Sequence, residues 1–200
     1  MSTVVLASSN AGKLRELAEL LEPLGWHLEL QDALGIEPAA EPYGTFVENA
    51  LAKARHASAA SRLPAIADDS GLCVAALDGA PGIRSARYAG PHGDDEANIE
   101  RLLRELDGIG DRTAHFYCCI VLLAHEADPA PIIALGTWHG QILEARQGDG
   151  GFGYDPVFYL PALGCTAAEL DATEKARLSH RGQAIQALRQ ALGERRVDPG

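Results

Sequence analysis

Four short segments of this chain carry residue types that could do chemistry. The first, Ser8-Ser9-Asn10-Ala11-Gly12-Lys13, follows a short apolar run and precedes a helical pattern. A strand-to-helix junction offers backbone N–H groups and the positive end of a helix dipole, which together bind anions. Lys13 adds a compact cation suited to a phosphate. The spacing is not that of a Walker A loop, and the same residues also read as an ordinary turn capped by Asn10. The second segment, Ala67-Asp68-Asp69-Ser70-Gly71, sets two adjacent carboxylates between Ile66 and Leu72. Neighbouring carboxylates beside a core are unfavourable without a compensating cation. Mg²⁺, held by one or two carboxylates plus substrate phosphates, is the natural one; a solvated charged turn is the alternative. Glu41, in a loop further upstream, is another candidate metal ligand.

The third segment is Gly150-Gly151-Phe152-Gly153-Tyr154-Asp155-Pro156. Glycines let a backbone approach a ligand closely, and an exposed aromatic face can stack a nucleobase. A hairpin loop with a packed aromatic would have the same composition. The fourth, Ser179-His180-Arg181-Gly182, opens a helix with two potential cations at the end where the dipole disfavours them. Hydrogen bonding to a ligand would explain the pair, as would a solvated first turn. Lys175 lies five residues before His180, within reach of the same pocket.

The elements that must hold these segments can be read from periodicity. Thr3 to Ala7 reads as a strand. Leu14, Leu17, Leu20, Leu21 and Leu24 make one helical face, with Gly25 as the stop. Trp26 to Leu30 is a second strand, and 32–44 a loop. Thr45-Phe46-Val47-Glu48 is a capping box opening a helix to about Ser61, with Lys53 well inside it. Ala65 to Ala67 and Leu72 to Leu77 read as two short strands separated by the Asp68-Asp69 turn. Residues 78–93 read as a loop, and Asp94 caps a helix to about Leu106. Thr113–Ala124 and Ile132–Ala145 form a long hairpin. Ser179 caps a last helix that runs to Leu192 and stops at Gly193. Helices alternating with strands early, and a hairpin late, predict an α/β or α+β domain with a mixed sheet.

The chain has 200 residues, a net charge of −11 and 46% hydrophobic residues. That composition excludes disorder, and the acidic balance argues against an extended nucleic-acid partner. No apolar run approaches the roughly 20 residues that span a bilayer, and the start shows no signal peptide. Of the 17 basic residues, only Lys13, Lys53 and Lys175 are lysines, so arginine is the default surface cation and each lysine invites a specific reason. Cys73, Cys118, Cys119 and Cys165 lack zinc-site spacing and read as free, buried thiols. The other histidines show no ligand spacing to one another, and Trp26 and Trp138 read as strand packing.

In order and spacing, the four segments resemble the inosine triphosphate pyrophosphatase family, the non-canonical purine nucleoside triphosphate pyrophosphatases or XTP/dITP diphosphatases. Further matching pieces are Thr45-Phe46-Val47-Glu48-Asn49-Ala50 with Lys53 and Ala54, and Pro81-Gly82-Ile83 with Ser85-Ala86-Arg87-Tyr88. The resemblance runs from Val4 to about Leu192. Ser8 stands where the family commonly has Thr and keeps the hydroxyl. The resemblance implies one two-lobed domain over 1–200, with a disordered tail from about 194. Its fold would be a long, curved mixed β-sheet with flanking helices forming two lobes around a nucleotide cleft. It implies Mg²⁺-dependent hydrolysis of ITP, dITP and XTP to the monophosphate and pyrophosphate, which keeps these bases out of DNA and RNA. It implies a cytoplasmic homodimer with no nucleic-acid or membrane partner. Ser8, Ser9, Asn10, Ala11, Gly12, Lys13, Lys53 and Lys175 would serve the phosphates, and Asp69 and Glu41 the metal. Asp69 would be the general base, assisted by Asp68. Ser70, Phe152, Gly153, Tyr154, Asp155, His180 and Arg181 would complete the substrate site, with donors aimed at the 6-oxo group. Two other readings compete: a pyrophosphatase for other modified nucleotides, and a nucleotide-binding module without turnover.

Overall fold

The structure, a computed structural model, describes residues 2–91 and 93–194. Beyond Glu194, the expected tail lies outside the described residues, as does His92. In chain order the elements are β1 (Ser2–Leu6), α1 (Ala11–Leu21), β2 (Trp26–Leu30), α2 (Phe46–Ser61), β3 (Ala65–Val74), α3 (Asp95–Glu105), β4 (Thr113–Leu123), β5 (Ile132–Ile142), β6 (Phe158–Leu160), β7 (Cys165–Thr166), α4 (Ala172–Leu178) and α5 (His180–Glu194). Short 3₁₀ turns at Gln31–Leu34, Ala75–Leu77 and Gly82–Arg87 occupy stretches that composition alone reads as strand or loop. The strands form one open sheet in the order β2-β1-β3-β4-β5-β6-β7. It is mixed: β1 runs parallel to β2 and β3, whereas β5, β6 and β7 pair antiparallel. The expected mixed sheet with flanking helices is borne out.

Local chemistry sets the helix starts. Asn10 Oδ1 accepts the N–H groups of Gly12 (2.8 Å) and Lys13 (3.2 Å), satisfying two donors that the first turn of α1 would leave unpaired. Thr45 Oγ1 accepts the Glu48 N–H at 3.3 Å and donates to the Glu48 carboxylate at 2.6 Å. The capping pair of α2 is therefore present, with the glutamate bonded to the threonine hydroxyl. The leucine face of α1 ends sooner than its spacing suggests. Leu17 and Leu21 are buried, but Pro23 turns the chain into a 3₁₀ segment and Leu24 is 51% exposed.

Two differences from the sequence reading matter for the site. First, residues 65–74 form one continuous strand, β3, not two strands around a charged turn. Asp68 and Asp69 stay inside the strand because their charges are met by lysines rather than by water. Second, Ala172–Leu178 is a helix, α4, with the Asp171 side chain accepting the Glu174 N–H at 2.8 Å. The Asp171-Ala172-Thr173-Glu174 spacing was a legible cap signal, masked by the shortness of the segment. Ser179 Oγ accepts the Gly182 N–H at 3.2 Å and so caps α5 as expected. α5 runs through Gly193 to Glu194 instead of stopping at Gly193.

Packing divides the chain into two units. The first comprises Met1–Asp69, Cys119–Leu135 and Ala184–Gly200; the second comprises Ser70–Cys118 and Gly136–Gln183. In the first, α1 packs on β2 and α2 on β1. Ala50, Ala54 and Ala57 are fully buried on α2, and such small side chains let a helix lie close to its sheet. In the second, Leu72, Ile99, Leu102, Phe116, Trp138 and Phe158 share one apolar core. Trp26 and Trp138 are buried as expected. All four cysteines are free, but only Cys118 and Cys119 are fully buried.

Gly182 allows α4 and α5 to meet, since a Cβ there would collide with the Ala176 carbonyl oxygen. Gly182→Ala should therefore cost about 1–3 kcal/mol of stability. Gly193 has open space around it, and Gly193→Ala should be neutral or stabilise by up to about 1 kcal/mol through helix propensity. Denaturant unfolding of the two variants against wild type measures both.

Candidate active site

In the first unit, two lysines and three carboxylates converge. Successive side chains of a strand point to opposite faces, and each aspartate of the Asp68-Asp69 pair meets a different lysine. Lys13 Nζ, from α1, lies 2.7 Å from Asp68 Oδ1, whose side chain is only 2% exposed. Lys53 Nζ, from α2, donates to Asp69 Oδ1 at 2.9 Å and to Glu41 Oε1 at 2.8 Å. Glu41 belongs to a loop without regular structure, and Asn49 ties that loop down. The buried Asn49 side chain accepts the Tyr43 N–H at 3.1 Å and donates to the Tyr43 carbonyl at 3.2 Å.

Burial alone would lower the Lys53 ammonium. The negative charge of Asp69 and hydrogen bonds to Glu41 and Asp69 outweigh it and hold Lys53 above its ordinary value. Burial raises the Asp69 carboxyl; Lys53 opposes this, while Glu41 and Asp68 add to it, and the net direction is up. The two shift upward for different reasons, Asp69 chiefly through burial and Lys53 through the carboxylates around it; within this group two ammoniums face three carboxylates.

The donor chemistry fits a hard divalent cation. Asp69 Oδ2 is buried and accepts no hydrogen bond among the described residues. A polyanion entering this already over-negative group needs additional positive charge. Oxygen ligands from one or two carboxylates are what such a cation uses when phosphates and water complete its shell. Among the described residues, no cluster of three or more His, Cys, Asp or Glu is arranged to hold a metal alone. Asp69 and Glu41 are the side chains of this group that could contribute.

The Ser8–Lys13 segment is both a capped turn and a cationic site. Asn10 uses the Gly12 and Lys13 amides for its cap, and Ser8 Oγ accepts the Asn10 N–H at 3.1 Å. Ser9 Oγ donates to Asp32 Oδ1 at 3.0 Å, a partner on the Gln31–Leu34 turn. With these amides engaged internally, the attraction for an anion falls chiefly to the Lys13 ammonium.

The second unit holds a cavity of about 180 Å³, lined by Ser70, Gly71, Ser85, Ala86, Asp95, Phe116, Phe152, Gly153, Tyr154, Asp155, Lys175, His180 and Arg181. The glycine-rich loop folds around the buried Asp155. Its carboxylate accepts the Phe152 N–H at 2.8 Å and pairs with the Lys175 ammonium. Gly151 has φ +77°, and a Cβ there would collide with Asp155 Oδ2, so the position requires glycine. Lys175 Nζ also lies 4.3 Å from the Phe152 ring centroid, a cation–π contact under a ring that is 65% exposed. Tyr154 is buried and donates to the Ser85 carbonyl at 2.9 Å. Burial pushes its phenol well above the usual tyrosine value, so it stays a donor. The His180 ring stacks on Phe116, with centroids 4.8 Å apart and planes within 12°.

The expected site residues thus fall into two groups: Ser8 to Lys13, Glu41, Lys53, Asp68 and Asp69 in the first unit, and Ser70, Phe152 to Asp155, Lys175, His180 and Arg181 in the second. Lys175, assigned on the family pattern to phosphate, sits with Asp155 and Phe152 among the cavity residues. Asn49, Ser85, Asp95 and Phe116 were not singled out as site residues. Each sits inside an ordinary helix, turn or strand pattern, and only folding brings it to the site.

An open mixed sheet with flanking helices, carrying a lysine–carboxylate group at β3 and a Gly-rich aromatic loop, defines a known class of α/β proteins. The profile of the Ham1 family matches residues 4–191, and the chain belongs to that family. The chain is 56% identical over 199 residues to a dITP/XTP pyrophosphatase of Nitrosomonas europaea, covering 100% of this chain and 98% of the relative. It is 58% identical over 196 residues to the dITP/XTP pyrophosphatase of Ralstonia nicotianae, covering 96% and 97%. The solved HAM1 protein of Coxiella burnetii superposes with a TM-score of 0.94 at 48% identity, covering 98% of this chain and 100% of that one.

Two outcomes follow from the charge shortage. Lys53→Met removes the charge that restrains Asp69, so the Asp69 carboxyl should titrate at a higher pH than in wild type, measured by carboxyl ¹³C NMR. Because the folded value of Asp69 lies above its unfolded one, its contribution to stability is complete below the unfolded value. It is lost as pH rises through the folded value. Relative to wild type, Asp69→Asn should therefore gain in melting temperature as pH rises through that value, because it lacks this loss. That difference should vanish at pH values where Asp69 is protonated.

Proposed function

We propose that this chain hydrolyses dITP, ITP and XTP to the nucleoside monophosphate and pyrophosphate, cleansing the nucleotide pool of bases that would otherwise enter DNA and RNA. The observation that carries the reading is Asp69: a half-buried carboxyl raised above its ordinary value, one oxygen held by Lys53 and the other buried without a hydrogen bond among the described residues. A carboxyl raised in this way is a stronger base toward water than an ordinary aspartate. The reaction breaks the bond from the α-phosphorus to the bridging oxygen of the pyrophosphate group. Water supplies the new oxygen on the α-phosphorus, and Asp69 takes its proton. Lys13 and Lys53 bind the phosphates and spread the charge that builds on the leaving pyrophosphate, with Asp68 orienting Lys13. Such chemistry depends mainly on positioning and electrostatics.

Asp69 and Glu41 would hold Mg²⁺, which would supply the positive charge that lets a triphosphate approach three carboxylates. Phe152 and Tyr154 wall the base. Lys175, His180 and Arg181 provide donors for the 6-oxo group, with Asp155 and Ser70 fixing their surroundings. A 6-amino purine would set donor against donor, and a site built to bond one substrate group can reject an analogue lacking it by roughly 10⁴. The working form is a cytoplasmic homodimer in which each chain acts as one domain.

A panel of nucleoside triphosphates with Mg²⁺ and pyrophosphate detection tests the reading. ITP, dITP and XTP should release pyrophosphate far faster than ATP; release of orthophosphate, or equal rates on ATP, would refute it. Asp69→Asn should lose roughly 10²- to 10⁴-fold in kcat while still binding nucleotide. Activity should be lost as pH falls through the Asp69 value, which sets the acid limb of kcat/KM. In Lys53→Met that limb should move to higher pH. Arg181→Ala should narrow the ITP-to-ATP ratio.

A further inference from the structure

The glycine-rich loop owes its shape to more than Asp155. The first turn of α3, outside every segment selected for chemistry, reaches it twice. Asp95 Oδ2 accepts the Gly153 N–H at 2.7 Å. Next to it, Glu96 pairs with Arg146 through its carboxylate and accepts a second bond from Arg146 Nη2 on its carbonyl at 3.3 Å. Asp94 caps the same turn by accepting the Ala97 N–H at 3.1 Å, which fixes where Asp95 and Glu96 point. Asp95 also lines the cavity. The amides of Phe152 and Gly153 are thus held by two different carboxylates, Asp155 from below and Asp95 from α3.

We propose that Asp95 is a positioning residue for base recognition, a latch by which α3 holds the loop so that the Phe152 ring is presented over Lys175. The inference rests on the function proposed above. Phe152 is mostly exposed, so packing does little to hold its ring, and the loop contains four glycines between 148 and 153, which leaves the backbone free to rearrange. Two hydrogen bonds to consecutive amides remove that freedom. Of the contacts from α3, the one to Gly153 carries the effect. The Arg146–Glu96 pair has side chains 36% and 68% exposed, and pairs of that kind contribute little. A carboxylate bonded to a backbone N–H is charge-assisted and directional.

A latch that pre-forms the loop changes substrate binding and leaves the proton transfer at Asp69 untouched. Asp95→Ala should raise KM for ITP by roughly three- to tenfold, the worth of one hydrogen bond, with kcat within about twofold on the same scale. It should also narrow the ITP-to-ATP selectivity. Asp95→Asn keeps an acceptor for Gly153 but loses the charge beside the helix N-terminus. It should restore KM, whereas a role confined to stabilising α3 through its charge would leave asparagine as poor as alanine. The second readout needs no turnover: amide hydrogen exchange at Gly153 should accelerate by several-fold in Asp95→Ala and return toward wild type in Asp95→Asn. The proposal is overturned if Gly153 exchange is unchanged in a folded Asp95→Ala, if KM does not move, or if asparagine fails to rescue. Should wild type turn over no purine triphosphate, the proposed function fails, while the exchange experiment still decides the latch.

Discussion

Asp68 and Asp69 stand side by side within a ten-residue strand, with apolar neighbours on both sides. Two adjacent carboxylates in such a place would normally break the strand or keep their protons. Lys13 and Lys53 keep the strand intact, one lysine to each aspartate. The lysines come from the two helices that follow β1 and precede β3, so the parallel β2-β1-β3 arrangement is what brings cation to anion. If either helix were displaced along the sheet, a buried carboxylate would lose its partner. The electrostatics of the site and the folding of the first unit are therefore one constraint. The compensation is partial by construction, because Glu41 shares Lys53 with Asp69. Burial raises Asp69, Glu41 and Asp68 add to it, and one Asp69 oxygen without a hydrogen bond among the described residues could meet a further cation.

The second unit solves a different problem, holding a flexible loop in one shape. The glycines that permit close approach to Asp155 also remove the side chains that would otherwise pack the loop. Order is restored by polar contacts to its amides, by the buried Tyr154 anchored on Ser85, and by the Lys175–Asp155 pair. His180 is held flat by stacking on Phe116, itself packed on Phe158. The His180 ring thus rests on the apolar core, while the backbone of the exposed Phe152 is held by Asp155.

The net charge of −11 describes the whole surface and says little about a small phosphate site. Three lysines among seventeen basic residues proved more informative. Each one is paired with a carboxylate at a site residue, as a compact ammonium can be, whereas arginines other than the cavity-lining Arg181 serve elsewhere: Arg112 on backbone carbonyls, Arg101 over Tyr88, and Arg146 on Glu96.

Helix caps, the early parallel strands, the late hairpin and the chemical character of four segments were legible in the sequence. They depend on neighbours a few residues apart, which local periodicity and capping rules describe. The motifs also identified the family, because their order along the chain is a one-dimensional property. What only the tertiary structure decided depends on distance through space. The continuity of β3 across two aspartates requires lysines 55 and 16 residues away from their partners in sequence. The seat of Lys175 beside Asp155 is likewise a matter of where α4 lies. So are the roles of Asn49, Ser85, Asp95 and Phe116, each unremarkable in its own segment. A charge in a strand reads as a turn until its partner is known, and that partner is chosen by the packing of helices on the sheet.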